Sequence, residues 1–555
     1  MTAPAISAAV SAMASCRVRP LLPAVVAAAT LICPQRANSA QQLAKTAHSA
    51  RGVIVTGAPL ATAAGLGVLE RGGNAVDAAI AAAFALAVVE PSQSGIGGRT
   101  HLLIRAADGR VAALDGWTEV PAAAVHPLPG ESDTAYGYDT IAVPGTVAAL
   151  AEALAQHGAL PLADVMAPAI ALAEDGFVLP ADEARRIAAV AGRLRQFAGS
   201  RRAFLTPTGA PYAAGERLVQ RDLAGVLRAI ARDGPAAFYR GWIADSIEAD
   251  MVRNGGFVRR DDLARYRPDL ARVVRGRYRG YDLVGTYLPA SGVTVIEALH
   301  ILENFDLAGR VGTAEWISLV AQALDASFAD RAESQYLPAE QEAAKLTSKE
   351  WAAGRARTIR RLRVPAAREP SVDPAHTTHV SVIDRNGMIV ALTQSLGPNL
   401  GSKVVTPGLG FLYAATMGYL PARAPGDRPF SSQAPIIVLR DGQPTWITGG
   451  GGGRRIVSAS VEVLSRLMDQ RLALLDALAA PRFHPSGNQL ILENRPAAAW
   501  PDSVRSALMS SGFDVTTNGE GGFFARLHAI EWDAQARAYV AVADDRWGGA
   551  AGAVR

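Results

Sequence analysis

Between Ala58 and Glu90 the chain carries two successive segments that read as helices and have almost no polar face. The first runs from Ala58 to Gly72-Gly73, a common C-terminal stop. Asn74 then suits an N-cap, with Asp77 three residues on, and an alanine-rich run continues to about Glu90. A helix that is apolar nearly all round has no side to give to water, so it is buried. The pair therefore requires a fold large enough to enclose it. Composition agrees: of 555 residues, 49% are hydrophobic and 19% charged, which supplies a large core and excludes a disordered chain. At roughly 100–200 residues per domain, length alone suggests about three or four domains.

Charge and cysteine usage remove other classes. The chain has 55 Lys+Arg against 51 Asp+Glu, a net of +4 without long basic runs, which excludes an electrostatic footprint for nucleic acid. Its 2 cysteines make neither a disulfide framework nor a Cys-rich zinc site. Both, Cys16 and Cys33, accompany Arg17, Arg19, an apolar run from Leu21 to Cys33, and Ala37-Asn38-Ser39-Ala40. A basic start, a short apolar run and a small-residue end read as a secretory signal. The run is too short to span a bilayer. The expectation is export, to the periplasm or outside the cell, with a signal peptide over 1–40 and a mature chain without cysteine.

Further along, Ser94 to Gly98 is a turn feeding a strand from His101 to Ala106, and Asp108-Gly109 allows a hairpin into Val111 to Leu114. Residues 145–330 read as mostly helical, with a strand near Tyr281 to Tyr287. Glu340 to Pro374 is polar, contains Pro365, Pro370 and Pro374, and reads as an exposed linker. Immediately afterwards the pattern turns β-like: Thr378 to Ile383 alternates, Asn386-Gly387 offers a tight turn, and Met388 to Thr393 returns. Strands near Ile436–Leu439 and Thr445–Thr448 precede a helix from about Arg454 to Met468.

Three features could carry chemistry. In His376-Thr377-Thr378-His379, a threonine stands between the linker and a strand. Cleaving the chain before such a residue frees its α-amine as the base its hydroxyl needs. Thr is equally at home as an ordinary strand residue. Gly449 to Gly453 joins a strand to a helix, where bare N–H groups can face an oxyanion or simply make a tight turn. Ser431-Ser432 could grip a carboxylate or mark a loop beside Pro429. No spacing supports a metal site, a nucleotide P-loop or a dinucleotide turn, so no cofactor is expected.

Taken in order, these stretches resemble the γ-glutamyltransferase (γ-glutamyltranspeptidase) family of N-terminal-nucleophile hydrolases. Gly72-Gly73-Asn74-Ala75-Val76-Asp77-Ala78-Ala79, Val143-Pro144-Gly145-Thr146 and Ala173-Glu174-Asp175-Gly176-Phe177 look like its first blocks. Asn254-Gly255-Gly256, Tyr278-Arg279-Gly280-Tyr281 and Leu302-Glu303-Asn304-Phe305 continue the series. Thr377-Thr378-His379-Val380-Ser381-Val382, Arg428-Pro429 with Ser431-Ser432, the glycine run and Ala480-Pro481-Arg482-Phe483-His484 complete it. The resemblance implies an α/β (α+β) fold, a four-layer αββα sandwich made from two chains produced by self-cleavage. A large subunit, 41–376, and a small one, 377–555, would interweave into one domain as a heterodimer. It implies Thr377 as the nucleophile, Ser395 as the hydroxyl supporting it, and Gly452 and Gly453 as the oxyanion hole. The substrate would be a small-molecule amide, and the acyl group would pass to water or an amine.

The departures fall at the substrate end. Asp115-Gly116-Trp117-Thr118-Glu119 lacks the arginine that family members use for a γ-glutamyl α-carboxylate. Gly397, Thr416 and Tyr419 stand where the asparagine, glutamine and aspartate for the α-amino group are expected, and Gly97-Gly98-Arg99-Thr100 replaces a four-glycine turn. Ser431 and Ser432 remain, and Arg99 offers a replacement cation. An acylase- or amidase-like enzyme with a non-classical acyl group is therefore expected. The alternatives are a true γ-glutamyltransferase or glutathione hydrolase with a rearranged clamp, and a non-catalytic binding homologue.

Overall fold

The period-two alternation of the strands decides which face meets which layer. In Gly52–Thr56, Val53 and Val55 face one way and join a core that also holds Leu103, Ile383, Ile389 and Ala391. Ile54 faces the other way, with Leu102, Val380, Val382 and Leu392, into a core shared with the apolar helices. These residues belong to a seven-stranded antiparallel sheet, ordered Ala550–Ala553, Gly52–Thr56, Thr378–Asp384, Ile389–Ser395, Arg99–Arg105, Val111–Gly116 and Asp269–Leu270.

A second seven-stranded sheet runs Thr46–Ser49, Ala538–Ala543, Arg526–Asp533, Gln443–Gly451, Ile436–Arg440, Tyr281–Thr286 and Val273–Tyr278. Its inner face supplies Val284, Ile437, Ile447, Ile530 and Ala541 to the core between the sheets. Its outer face packs Leu283, Ile436, Val438, Leu527 and Ala529 against the helices Gly292–Leu302 and Arg455–Asp469, on which Ala314–Ser334 packs in turn. Helices, two sheets and helices again form the αββα sandwich. Both sheets take strands from before and after residue 376.

The computed structural model describes residues 43–124, 135–334, 339–359, 376–419, 424–520 and 522–555. The stretch read as an export signal, with both cysteines, lies outside the described residues. Leu43–Arg555 forms one compact unit, so the estimate of three or four domains is corrected. The sheets account for this, since neither half of the chain closes a core without the other.

The apolar helices behave as their sequence requires. Asn74 Oδ1 accepts from Val76 N and Asp77 N at 2.9 and 3.0 Å, while Asp77 Oδ2 accepts from Asn74 N at 2.8 Å. The helix this box starts, Ala75–Val89, buries all 15 of its residues. The expected linker is partly corrected: Ala339–Leu346 and Lys349–Ala356 are helices, anchored by buried Ala343, Leu346 and Ala352. Trp351 Nε1 donates to Glu297 Oε1 and Asp330 Oδ2 at 2.9 and 3.1 Å. Residues 360–375 lie outside the described residues.

Candidate active site

Strand register brings the candidate reacting groups together. Thr378–Asp384 pairs antiparallel with Ile389–Ser395, Thr378 opposite Gln394. The next step along the ladder sets Thr377 beside Ser395, and the two Oγ atoms lie 3.0 Å apart. Both hydroxyls reach one carbonyl, that of the residue before Thr377: His376 O is 2.7 Å from Thr377 Oγ and 2.7 Å from Ser395 Oγ. Ser395 Oγ in turn accepts from Gly397 N at 2.9 Å, which leaves its hydrogen for His376 O. A donor on that carbonyl draws electrons from its carbon, the atom a hydroxyl at Thr377 would attack.

The peptide around Thr377 is held at both polar ends. Its N–H donates to Gln93 Oε1 at 3.0 Å, and its carbonyl accepts from Arg526 Nη2 at 3.0 Å. Arg526 is paired with Glu90 at 2.8 Å, both buried. Arg186 contacts His376 Nδ1 and stacks over the Trp547 ring at 3.4 Å. Burial first, and Arg186 second, hold His376 well below its usual value, so its ring is neutral.

The glycine run is more strand than turn: the strand continues through Gly451, and only Gly452 and Gly453 link it to the helix. Gly449, Gly450 and Gly451 continue Gln443–Gly451 and pair with His528, Leu527 and Arg526. A Cβ at Gly451 would lie 1.8 Å from Thr377 O, and one at Gly449 would lie 2.2 Å from the His379 ring. Side chains here would force the sheets apart beside Thr377, so contact selects glycine. Gly452 and Gly453 follow with φ of +141° and +60°, a conformation that favours glycine and turns the chain into the helix Arg455–Asp469.

At the substrate end, several of the departures converge. Arg99 Nη1 lies 3.3 Å from Thr416 Oγ1, and Thr416 Oγ1 lies 2.7 Å from Thr118 Oγ1. The Arg99 guanidinium stacks over Trp117 at 4.6 Å, and all four residues are buried. Thr118, from the stretch that lacks the family pattern's arginine, thus shares a cluster with the arginine this chain places at 99. Gly397 lies instead beside Ser395.

Ser431 and Ser432 are set by other anchors. Ser431 Oγ accepts from Gln433 N at 3.0 Å, and Arg331 Nη1 donates to Ser432 Oγ at 3.2 Å and to Ser291 Oγ at 2.8 Å. Arg331 lies between the rings of Phe328 and Phe430. Because each serine oxygen already accepts from a donor, its hydrogen is left to point at an acceptor such as a carboxylate. Gln93, Glu90, Arg186, Arg331 and Arg526 escaped the sequence reading. Gln93 is 284 residues from Thr377, and no local pattern signals that pairing.

Known proteins resemble this chain in sequence and in fold. A family model described as gamma-glutamyltranspeptidase matches residues 61–554. The acylase ACY 1 proenzyme of Pseudomonas sp. (strain SE83) is 38% identical over 499 residues, covering 85% of this chain and 88% of that protein. The glutathione hydrolase proenzyme of Escherichia coli (strain K12) is 32% identical over 470 residues, covering 78% and 81%. The crystal structure of cephalosporin acylase from Bacillus halodurans superposes with a TM-score of 0.84 at 27% identity, covering 95% of this chain and 99% of that one. Fold and relatives together define an amide hydrolase of the N-terminal-nucleophile class. Within that class, the chain belongs to the γ-glutamyltranspeptidase family.

Proposed function

We propose that this protein is an exported, self-processing acylase whose nucleophile is Thr377 and whose acyl group carries a negative charge. The observation that carries the reading is the placement of Thr377 Oγ 2.7 Å from His376 O, with Ser395 on the same carbonyl. Thr377 Oγ adds to the His376 carbonyl carbon and the His376–Thr377 C–N bond breaks, leaving an ester on Oγ and a free α-amine. Water hydrolyses that ester, so His376 ends one chain as a carboxylate and Thr377 begins the other. Loss of the leader after Ala40 in the periplasm or beyond leaves products 41–376 and 377–555, which stay together because each sheet needs strands from both.

In the mature site the same oxygen attacks a substrate amide, and the α-amine takes its proton. N–H groups of Gly452 and Gly453 receive the oxyanion, a kind of contact worth about 3–4 kcal/mol. The amine of the substrate departs, and water or another amine accepts the acyl group from Thr377. Arg99, held by Trp117 and Thr416, meets the acyl carboxylate, while Ser431 and Ser432 donate to a further acceptor. With no arginine in the Asp115–Glu119 stretch and Thr416 in place of a glutamine, a γ-glutamyl zwitterion finds fewer partners. Burying its charges unpaired costs about 3–5 kcal/mol.

A second reading, γ-glutamyl hydrolysis or transfer through a rearranged clamp, draws on the serine pair backed by Arg331. Steady-state kinetics on glutaryl, short-chain acyl and γ-glutamyl amides tests the choice. The proposal expects the highest kcat/KM for the glutaryl amides. A preference for γ-glutamyl amides favours the second reading, and absence of turnover on all three, with an uncut chain, leaves a non-catalytic homologue.

A further inference from the structure

We infer that Gln93, Ser92 and Glu183 form a one-way hydrogen-bond relay that orients the α-amine of Thr377 for its work as a base. The inference rests on the reading of Thr377 as nucleophile and goes beyond it by naming the positioning residues. The relay starts where Thr377 N donates to Gln93 Oε1 at 3.0 Å. Gln93 Nε2 donates to Ser92 Oγ at 3.0 Å, and Ser92 Oγ donates to Glu183 Oε1 at 2.5 Å. Ser92 N donates to the other carboxyl oxygen, Glu183 Oε2, at 3.2 Å. All three side chains are buried, at 0% exposure for Ser92, 2% for Gln93 and 3% for Glu183.

The direction of the relay follows from donor arithmetic. The Thr377 amide nitrogen only donates, so Gln93 must present its oxygen there and its NH₂ group to Ser92. Ser92 then accepts from Gln93 and has a single hydrogen left, for which the Glu183 carboxyl is the acceptor. Reversing the Gln93 amide would oppose two donors at Thr377. The backbone of Gln93 is fixed as well: its N–H donates to Glu90 O at 2.9 Å, and its carbonyl accepts from Leu396 N at 3.1 Å. Leu396 adjoins Ser395, so the relay and the hydroxyl beside the nucleophile share one anchor.

Cleavage turns the Thr377 N–H into an amine with a lone pair. One amine hydrogen remains on Gln93 Oε1, and the lone pair is turned away from Gln93, toward the Oγ proton, directly or through one water. The relay also sets the charge at a distance. A carboxylate in direct contact would hold the amine as an ammonium ion, useless as a base, whereas Glu183 acts through two neutral groups. The charged groups acting on neighbouring Glu183 and His376 are Glu90, Arg186, Arg526, Lys403 and Arg455; the His376 ring is neutral before cleavage, and cleavage adds the His376 carboxylate. Burial, and then the charge of Glu90, push Glu183 up to about 7.

Gln93→Glu puts a carboxylate where the neutral acceptor stands. In the cut protein the acid limb of the kcat–pH profile should move up by about one unit or more, with KM within about two-fold of the native value. An unmoved limb overturns the relay. Ser92→Ala removes only its middle and leaves Gln93 and Thr377 in place. Its kcat should fall by about ten-fold or more while KM and the melting temperature stay native. A native kcat, or a loss carried by KM, overturns the inference. Native protein that is itself uncut and inactive refutes the reading of Thr377 before any variant is made, so the two failures are separate.

Discussion

The proposed reacting end and the proposed substrate end of this site are built by different means. Thr377 and Ser395 meet because two neighbouring strands pair in one register, and their position is a property of the backbone. Arg99 and Thr416 come from stretches 317 residues apart; the backbone brings the stretches together, with Arg99 opposite Ser395 and Ala414 N donating to Gly97 O, but the contact itself runs through side chains. Moving the first pair means re-registering a central strand, which turns every side chain to the wrong face. The second cluster can trade an arginine at one position for an arginine at another without disturbing a strand. This is why the reacting end follows the family pattern while the substrate end departs from it.

Breaking the reacting end should have the larger effect. Thr377→Ala is expected to leave the chain uncut and to reduce amide turnover by at least about 10³-fold, because the attacking oxygen is gone. Gel electrophoresis and product release check both. Gly451→Ala pushes a methyl group against Thr377 O, at 1.8 Å in the present backbone, so the nucleophile must shift. A displacement of about 1 Å can cost about 10²-fold, and the rate of self-cleavage should slow by that order. A chain that cuts at the native rate would contradict the close fit.

Breaking the substrate end should be selective. Arg99→Met should leave self-cleavage intact and raise KM for a glutaryl amide by about ten-fold or more, with little change for an uncharged acyl amide. Equal effects on both substrates would remove Arg99 from the acyl site. The smallest effect concerns acid stability. Burial pushes His101 down to about 3, below its ordinary 6.5, so its neutral form is the folded one. Its contribution is present above about pH 6.5 and is lost as pH falls from there toward 3. The difference in melting temperature between native protein and His101→Gln should therefore narrow between pH 7 and pH 4. A constant difference would contradict this assignment.

The same contrast explains what the sequence made legible. Asn74 with Asp77, the all-apolar helices and the hairpin through Asn386-Gly387 are local patterns, and each is realised within a residue or two. Thr377, Ser395, the glycine run and the departures at the substrate end came forward as candidates through ordered resemblance. The strand Val273–Tyr278 was not, because Arg275, Gly276 and Arg277 hide its alternation. Arg526–Asp533 was missed because buried Arg526 and His528 occupy positions where period two calls for apolar residues. Arg526 is there to hold the Thr377 carbonyl, so local pattern fails where the site imposes its own chemistry. Gln93, Ser92 and Glu183 join through contacts that only the tertiary fold creates.

The central claim is that the chain cuts itself before Thr377, and the intact mass of purified native protein, with amino-terminal sequencing, tests it most directly. The account predicts two associated chains, one ending at His376 and one running from Thr377 to Arg555. A single uncut chain, or a cut at any other bond, would contradict it.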